Sequence, residues 1–410
     1  MKQITKFSEQ TLIPEDLLAD RIKNVPRSFI REILKVAISP DIISFAGGLP
    51  NRELFPADAL KECAIKVFEK NGTDALQYSN SEGYLPLREY ISQYYAGKHN
   101  IRVVPENILI TCGSQQGLDL LGKVLINEND EVIIEEPGYL GAIQALSVYG
   151  SKFMPVRLNH RGMDIQELDR KLHTVNKIKM MYVVPEFQNP SGISYSPETR
   201  TAIIDLMRSI PAYIVEDNPY IDLRFQGKGS GSFYHRAPGK TILLGSFSKT
   251  IVPGFRIGWV VATDKLMEKL IVAKQATDLH TNIFSQMILF EYLSHCDHEK
   301  HIGKIIEAYG QQCRIMVRAI QEFFPSEVMI TQPLGGMFLW ATLPDHLSSM
   351  ELFRRTINKK VAFVPGNPFY TDNKKYYPTF RLNFSCSGGS DIQEGIARIG
   401  SSLKELIMEV

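Results

Sequence analysis

Six short apolar runs, each bounded by turn-forming residues, set the strongest limit on how this chain can fold. They lie at 108–111, 132–134, 180–184, 213–215, 241–244 and 257–262. Runs of this length and apolarity are typical of strands that are buried on both faces of a sheet. Amphipathic stretches separate them, as at Ser196-Pro197, where a capping serine and a first-turn proline open a helical pattern. This alternation predicts an α/β fold around a mostly parallel sheet.

The length of the chain predicts two domains, because 410 residues exceed a single typical core. We expect an N-terminal segment at 1–49 that packs with the small domain and the active site. A large domain at 50–290 would hold the six apolar runs, and a smaller α+β domain would occupy 291–410. The stretches 335–340 and 361–366 would supply strands of that smaller domain.

Charge and cysteine content bound the partners of the protein. The 46 Lys and Arg nearly balance the 45 Asp and Glu, so we expect neither nucleic acid nor a membrane surface, and a small molecule is the better expectation. The five cysteines form no C-x-x-C pair, which suits a reducing compartment and predicts a cytoplasmic protein. No run approaches about eighteen apolar residues, and acidic residues interrupt the first thirty.

Ser246, Ser248 and Lys249 follow the apolar run 241–244 and combine an anion site with a free amine. The two hydroxyls, together with Arg256, suit a dianionic phosphate. The lysine amine is available for covalent chemistry with an aldehyde. This pairing is what pyridoxal 5'-phosphate requires, whereas the same residues on a solvated loop would carry no function.

The segment Gly113-Ser114-Gln115 would contribute to the same anion site. The segment follows the run 108–111 and precedes an apolar helical pattern, so its backbone N–H groups should point out of a helix N-terminus, which attracts phosphate. Seen alone, the segment is more often an ordinary N-cap serine. The serine pair and the arginine described above shift the balance toward a phosphate.

Asp217 comes two residues after the run 213–215, at the carboxyl end of a predicted strand. Open α/β sheets bind ligands at this end of their strands. A buried carboxylate there would keep a pyridine nitrogen protonated and so make the ring an electron sink. The alternative is an aspartate that caps the next turn, since Asp-Asn-Pro is also a good turn sequence.

Five further segments complete a set of motifs in fixed order. They are Thr111-Cys112-Gly113-Ser114-Gln115-Gln116-Gly117, Glu136-Pro137-Gly138-Tyr139, Pro185-Glu186-Phe187-Gln188-Asn189-Pro190-Ser191-Gly192, Val215-Glu216-Asp217-Asn218-Pro219-Tyr220 and Phe380-Arg381-Leu382-Asn383-Phe384-Ser385. With the lysine motif, they resemble the fold-type I aminotransferases of class I/II, and within them the subgroup of kynurenine/2-aminoadipate aminotransferases. The resemblance implies a PLP-dependent transferase fold with a large, mostly parallel sheet domain and a smaller α+β domain. It covers the chain from about residue 31 to residue 385.

The resemblance implies a role for each residue around the cofactor ring. Lys249 matches the lysine that holds the cofactor covalently and then moves the substrate proton, and Asp217 matches the partner of the pyridine nitrogen. Asn189 and Tyr220 match the donors to the phenolate oxygen, and Tyr139 matches the aromatic that stacks on the ring. Lys249, Asp217 and Tyr220 are thus the expected catalytic residues. A turn asparagine and ordinary aromatic packing are the plainer interpretations of the others.

The resemblance also implies how substrate is bound. Arg381 matches the arginine that holds the α-carboxylate, together with Asn189, although a single arginine in a strand more often makes a surface ion pair. Gly48 matches a segment that passes close over the substrate. Tyr78 matches a tyrosine that reaches the phosphate held by the partner subunit, which implies a homodimer with shared active sites. Arg31 lies where relatives use an arginine on the distal group of the substrate, and an exposed helix arginine is the alternative.

The expected activity is a ping-pong exchange between an L-amino acid and a 2-oxo acid such as 2-oxoglutarate. 2-Aminoadipate or glutamate, aromatic and branched-chain donors all fit. A carbon–sulfur lyase or decarboxylase on the same scaffold is the alternative, since the shared carbanion can partition several ways. A non-catalytic effector sensor is another, but about thirty residues before the α/β region leave no room for a DNA-binding domain. The run 295–301 contains metal-ligand types without zinc spacing, so we expect no metal.

Overall fold

The computed structural model describes residues 17–23, 25, 39, 41–174, 177–372 and 377–409. The strands within these residues are β1 (Ile43–Ser44), β2 (Ile108–Cys112), β3 (Glu131–Glu136), β4 (Lys152–Asn159), β5 (Gly162–Met163), β6 (Ile178–Val183), β7 (Tyr213–Asp217), β8 (Thr241–Ser246), β9 (Ile257–Val261), β10 (Met329–Ile330), β11 (Phe338–Thr342), β12 (Val361–Ala362), β13 (Val364–Pro365) and β14 (Thr379–Asn383).

Helices cover the sheets and connect their strands. They are α1 (Asp20–Lys23), α2 (Ala57–Asn71), α3 (Leu85–His99), α4 (Gly113–Leu125), α5 (Leu140–Ser147), α6 (Ile165–Leu172), α7 (Pro197–Met207), α8 (Phe233–Arg236), α9 (Asp264–Asp278), α10 (Ile283–His295), α11 (His298–Phe323), α12 (Ser349–Asn358) and α13 (Gly389–Met408). Ser196 caps α7 by accepting a hydrogen bond from Thr199 N, as its sequence predicts. No helix in the described ranges is long and apolar enough to cross a bilayer.

The central sheet has eight strands in the order β2-β9-β8-β7-β6-β3-β4-β5. The five strands from β8 to β4 run parallel to one another. β9 is antiparallel to both of its neighbours, and β5 is antiparallel to β4. All six apolar runs are strands of this sheet, so the prediction of an α/β fold with a mostly parallel sheet is confirmed.

The sequence does not predict β4, because this strand lacks a continuous apolar run. Val156 is its one fully buried side chain, and Lys152, Arg157 and Asn159 are exposed. Along most of its length β4 is an edge strand, since β5 pairs only with its last two residues. An edge position tolerates both Pro155 and charged side chains, and these hide the strand from a pattern of apolar runs.

A smaller antiparallel sheet has the order β10-β11-β14-β13. In it Trp340 of β11 and Val364 of β13 both pair with Arg381 of β14. A separate parallel pair joins β1 to β12, so that residues next to Gly48 are attached to the C-terminal part of the chain. The predicted stretches 335–340 and 361–366 do contain strands. The domain boundaries at 49/50 and 290/291 stay a prediction.

One cluster of buried apolar side chains connects the two larger sheets. It includes Leu244 and Val260 of the central sheet and Phe338 and Phe380 of the smaller one. Each of these side chains is inaccessible or nearly so, and the two sheets therefore share one buried apolar core.

Candidate active site

The predicted site residues converge on one cavity of about 620 Å³ at the carboxyl ends of the parallel strands. Asp217 is the last residue of β7, and Ser246 is the last residue of β8. Those that line the cavity are Gly48, Gly113, Ser114, Gln115, Tyr139, Asn189, Asp217, Tyr220, Ser246, Ser248, Lys249, Arg256 and Arg381. A ligand site at this edge is what an open α/β sheet provides.

One end of the cavity is built to hold an anion. The N-terminus of α4 opens at Gly113, whose φ of 72° is in the left-handed region. A Cβ at that position would lie 2.5 Å from Arg256 Nη2, so glycine lets the guanidinium approach the helix end. The hydroxyls of Ser246 and Ser248 lie 2.9 Å apart beside it. A helix N-terminus, two hydroxyls and one guanidinium therefore line the same part of the cavity, and this combination suits a phosphate.

Lys249 lines the cavity, and its amine donates a hydrogen bond to Gly48 O at 2.7 Å. Burial lowers the pKa of Lys249 to about 8, and the positive charges of Arg381 and Arg256 act in the same direction. A lysine with this pKa has a substantial neutral fraction near physiological pH. It is therefore suited to act as a nucleophile and as a proton carrier.

Asp217 is a buried carboxylate with one oxygen left for a ligand. Its Oδ2 accepts a hydrogen bond from Tyr182 at 2.7 Å, whereas Oδ1 has no partner among the described residues. Burial raises the pKa of Asp217 to about 7, and the Tyr182 hydroxyl opposes that shift. An unpaired oxygen on a cavity-lining carboxylate is costly unless a cationic N–H group binds it.

Arg381 crosses the cavity from β14 and is buried. Its Nη1 donates to Asn189 Oδ1 at 2.8 Å and its Nη2 donates to Ala46 O at 2.7 Å. Its guanidinium also lies 4.4 Å above the ring of Phe338. Burial lowers the pKa of Arg381 to about 10. No described carboxylate pairs with it, so the interpretation as a surface ion pair is wrong, and a ligand carboxylate fits here.

Asn189 and Tyr220 lie together beside this arginine. Asn189 is 6% exposed, and both residues line the cavity. The ring of Tyr220 meets Phe338 edge-on, with centroids 5.9 Å apart. On another wall, Tyr139 immediately precedes α5, and burial raises the pKa of its hydroxyl to about 12. Both tyrosines are therefore neutral hydrogen-bond donors near neutral pH.

Three predicted residues remain. Tyr78 does not line this cavity, Arg31 is outside the described part of the chain, and Gly48 lines the cavity without a need for glycine in the protein itself. Tyr78 is 78% exposed, and its ring meets His280 edge-on at 5.9 Å, away from the cavity of its own chain. Arg31 lies outside the described residues. Gly48 lines the cavity, but a Cβ there would stand 3.5 Å from Phe338, an ordinary contact. The protein itself therefore leaves room for a larger side chain at position 48, and only a bound ligand would require glycine there.

Several cavity residues were not predicted from the sequence. Tyr182 belongs to an apolar run, and only its hydroxyl marks it as a partner for a polar group. Phe369, which packs on the Arg381 guanidinium at 5.2 Å, has no local signature.

The run 295–301 is a helix boundary, where Asp297 caps α11 by accepting from Lys300 N at 2.9 Å. Across the described residues, no group of His, Cys, Asp and Glu is arranged to hold a metal ion.

Comparisons with known proteins agree with this geometry. The family model for aminotransferase class I and II matches residues 41–399. The aromatic-amino-acid aminotransferase 1 of Thermococcus litoralis is 39% identical over 405 residues, which are 98% of this chain and 97% of that protein.

Two solved structures are similar over nearly their whole length. The kynurenine aminotransferase of Pyrococcus horikoshii, solved with PMP, has a TM-score of 0.91 at 38% identity and covers 95% of this chain and 98% of its own. The α-aminoadipate aminotransferase of Thermus thermophilus, solved with N-(5'-phosphopyridoxyl)-L-leucine, has a TM-score of 0.89 at 37% identity. It covers 96% of this chain and 99% of its own.

The residues of this chain fit pyridoxal 5'-phosphate. The anion end suits its phosphate, the unpaired Oδ1 of Asp217 suits a protonated ring nitrogen, and the Lys249 amine suits its aldehyde. The match to the family model covers most of the chain, and the similar structures contain the phosphopyridoxyl group. The protein belongs to the class I and II aminotransferases, with a fold-type I architecture and pyridoxal 5'-phosphate as its cofactor.

Proposed function

We propose that this aminotransferase takes its amino group from 2-aminoadipate, glutamate or an aromatic or branched-chain L-amino acid and passes it to a 2-oxo acid such as 2-oxoglutarate. The observation that carries this proposal is the buried guanidinium of Arg381, which has no carboxylate partner among the described residues and shares one cavity with the Lys249 amine. The proteins with similar sequence or structure are named for aromatic amino acids, kynurenine and α-aminoadipate, which supports this range of donors.

When bound, the cofactor supplies a ring that withdraws electrons from the substrate α-carbon. Gly113, Ser246, Ser248 and Arg256 would hold its phosphate end. Asp217 would face the ring nitrogen through Oδ1, which needs a cationic partner. The Tyr182 hydroxyl keeps the other oxygen of Asp217 in place and favours its charged form.

Arg381 would bind the α-carboxylate of the amino acid, with Asn189 fixing the plane of its guanidinium at 2.8 Å. This contact orients the Cα–H bond of the substrate. Lys249 would then take the proton from the α-carbon and give it up to the former aldehyde carbon of the cofactor, because its lowered pKa permits both steps near neutral pH. Tyr220, next to Asn189, would donate a hydrogen bond to the phenolate oxygen of the ring.

Donor choice depends on the distal end of the substrate. Among the described residues that line the cavity, the cations are Lys249, Arg256 and Arg381, and each already has a proposed role. A distal carboxylate, as in 2-aminoadipate, would therefore need another cation. Arg31 is the candidate, by its place in the sequence.

We propose a homodimer in which each subunit completes the site of the other. Tyr78, Leu76 and Leu279 are 78%, 68% and 53% exposed, and an apolar surface of this kind is typical of an interface. Tyr78 would reach the phosphate end of the partner's cavity.

We further propose a cytoplasmic location, since all five cysteines are unpaired, as is usual in a reducing compartment.

Mixed subunits test the shared site. Lys249→Ala subunits, which keep Tyr78, are combined with Tyr78→Phe subunits, which keep Lys249. If the sites are shared, mixed dimers regain one site with the cofactor affinity of the wild type. If each chain builds its own site, no mixed dimer binds the cofactor more tightly than Tyr78→Phe does. Cell fractionation tests the location.

An absorbance spectrum tests the proposed donors. The wild-type holoenzyme should be yellow, and L-2-aminoadipate or L-glutamate should bleach the band toward the pyridoxamine form. Adding 2-oxoglutarate should restore the yellow colour. The absorbance of the Lys249→Ala variant should not change in this way when an amino donor is added. Repeated turnover of an amino acid in the absence of any 2-oxo acid would instead indicate a lyase or a decarboxylase.

A further inference from the structure

Glu135 is a buried carboxylate close to the cavity, and the mechanism above does not use it. It lies near the end of β3 and is 1% exposed. Its Oε1 accepts hydrogen bonds from Val184 N at 3.0 Å and from the Tyr195 hydroxyl at 2.8 Å. Its Oε2 accepts from Gln188 Nε2 at 3.0 Å. Burial raises the pKa of Glu135 to about 8, and the three donors oppose that shift.

Gln188, the partner of Glu135, is fully buried and uses all of its hydrogen-bonding capacity. Besides Glu135, its Nε2 donates to Pro137 O at 2.8 Å. Its Oε1 accepts from Ser191 N at 2.8 Å and from Ser191 Oγ at 2.6 Å. An amide has two donor hydrogens and two acceptor positions, so the side chain has one satisfied orientation. Any rotation of it would break at least one buried hydrogen bond.

The two residues join the two loops that carry cavity side chains. Pro137 lies two residues before Tyr139, and Gln188 lies immediately before Asn189. Asn189 in turn accepts the 2.8 Å hydrogen bond from Arg381. The amide of Asn189 therefore points into the cavity from a loop whose other side is fixed in the core.

A role in stability alone explains this arrangement poorly. A buried charged or strongly polar pair contributes little net stability, and apolar side chains of similar size often stabilise a core as well or better. What the pair does provide is a defined orientation for two loops, since hydrogen bonds are directional and apolar contacts are not. The loops so oriented are the ones that hold Tyr139 and Asn189.

We propose that Glu135 and Gln188 are a positioning pair, which fixes Asn189 relative to Tyr139 and thereby aims the Arg381 guanidinium at the substrate carboxylate. This inference rests on the proposed role of Arg381 in binding that carboxylate. Neither residue of the pair touches the substrate. Their effect is transmitted through the loop that contains Asn189.

The test exchanges the two side chains and measures binding of adipate, a dicarboxylate that cannot react, to the holoenzyme. Glu135→Gln places an amide against the amide of Gln188 and should raise the Kd for adipate about tenfold, as expected for one misplaced buried hydrogen bond. The double variant Glu135→Gln with Gln188→Glu restores a donor opposite an acceptor and keeps the Ser191 contacts, but Pro137 O loses the donor that Gln188 Nε2 supplies. It should therefore recover part of the loss and lower the Kd at least about twofold from that of Glu135→Gln alone.

Two controls separate positioning from stability. Tyr195→Phe removes one donor to Glu135 but leaves Gln188 in place, so it should lower Tm and change the Kd less than about threefold. In an Arg381→Lys background, Glu135→Gln should no longer change the Kd, because its effect passes through Arg381. If Glu135→Gln does not fold, Ser191→Ala removes one donor to Gln188 and should raise the Kd about threefold.

The pair is a structural element only if Glu135→Gln or Ser191→Ala lowers Tm without changing the Kd, or if the exchanged variant recovers Tm but not the Kd. Failure of the proposed function looks different. In that case the wild type itself neither bleaches with an amino donor nor binds adipate in a way that depends on Arg381.

Discussion

The Lys249 amine and the Arg381 guanidinium donate to the same short backbone segment. Lys249 Nζ lies 2.7 Å from Gly48 O, and Arg381 Nη2 lies 2.7 Å from Ala46 O. Arg381 on β14 and Lys249 after β8 are thus held by carbonyls two residues apart. A substrate that binds Arg381 through its carboxylate and reacts beside Lys249 has to fit against this segment, which is where glycine at position 48 becomes useful.

The low pKa of Lys249 predicts how the apoenzyme takes up its cofactor. With a pKa of about 8 the amine is neutral in about 10% of molecules at pH 7 and in about 90% at pH 9. Because only the neutral amine attacks an aldehyde, the rate of reconstitution should rise with pH and level off above about pH 8. Stopped-flow absorbance measures it, with Nα-acetyl-lysine as the control. A rate that follows the control up to pH 10 would contradict the prediction.

Tyr182→Phe should weaken cofactor binding about tenfold at pH 7. The substitution removes the hydrogen bond to Asp217 Oδ2, so the pKa of Asp217 rises further above its usual range and less of it is ionised. The deficit should shrink as pH increases, because Asp217 then ionises without help. Equilibrium dialysis measures the affinity. Tyr94→Phe is the matched control, since Tyr94 donates to Asp222 at 2.6 Å outside the main cavity.

Gly113→Ala should damage the anion end. A φ of 72° costs a non-glycine residue about 1–2 kcal/mol, and the new Cβ would lie 2.5 Å from Arg256 Nη2. We expect a lower Tm and at least about tenfold weaker binding of inorganic phosphate to the apoenzyme. Gly97→Ala is the control, because that helical glycine has no neighbour within 4 Å. It should stabilise the protein by up to about 1 kcal/mol and leave phosphate binding unchanged.

Arg381→Lys should reduce kcat/KM for amino donors by about 10²–10³, since an ammonium cannot form the two parallel hydrogen bonds of a guanidinium. The absorbance of the bound cofactor should stay the same, because Arg381 is expected to bind substrate only. Steady-state kinetics and spectra together check both parts. Arg354→Lys, on an exposed helix face, should change neither. If the variant loses bound cofactor and activity to the same extent, Arg381 does not act by binding substrate.

Arg31→Ala tests the distal contact. If Arg31 binds a distal carboxylate, kcat/KM should fall by about tenfold or more for 2-aminoadipate and glutamate and stay unchanged for uncharged donors. The measurement is a comparison of acidic and uncharged donors in wild type and variant. Equal effects on both kinds of donor would mean that Arg31 has no part in selecting them.

The sequence predicts a residue well when the residue follows a strong strand signal. Asp217 and Ser246 are such cases, because each ends an apolar run and the carboxyl ends of parallel strands meet. Lys249 lies three residues after β8, and Arg256 lies directly before β9. Because β8 and β9 are neighbours in the sheet, the two strand signals place both residues near the same edge. The main elements of the site were therefore accessible to local patterns.

Pairs that form only in the folded chain were not accessible in this way. Tyr182 contacts Asp217 across 35 positions of sequence, and Gln188 contacts Glu135 across 53. Each is a polar side chain in or beside an apolar strand, where a pattern of burial says nothing about its partner. Strand β4 was missed for a related reason, since an edge strand does not need a continuous apolar run.

The pairing of β1 with β12 has a mechanical consequence. Through the hydrogen bond from Phe45 N to Ala362 O at 2.8 Å, the segment that contains Gly48 is attached to the C-terminal strands, whereas Lys249 follows a strand of the central sheet. If these two parts of the molecule rotate apart, the contact between Lys249 and Gly48 lengthens at the same time as the cavity widens. Opening for substrate exchange and release of the amine from its acceptor would then be one movement.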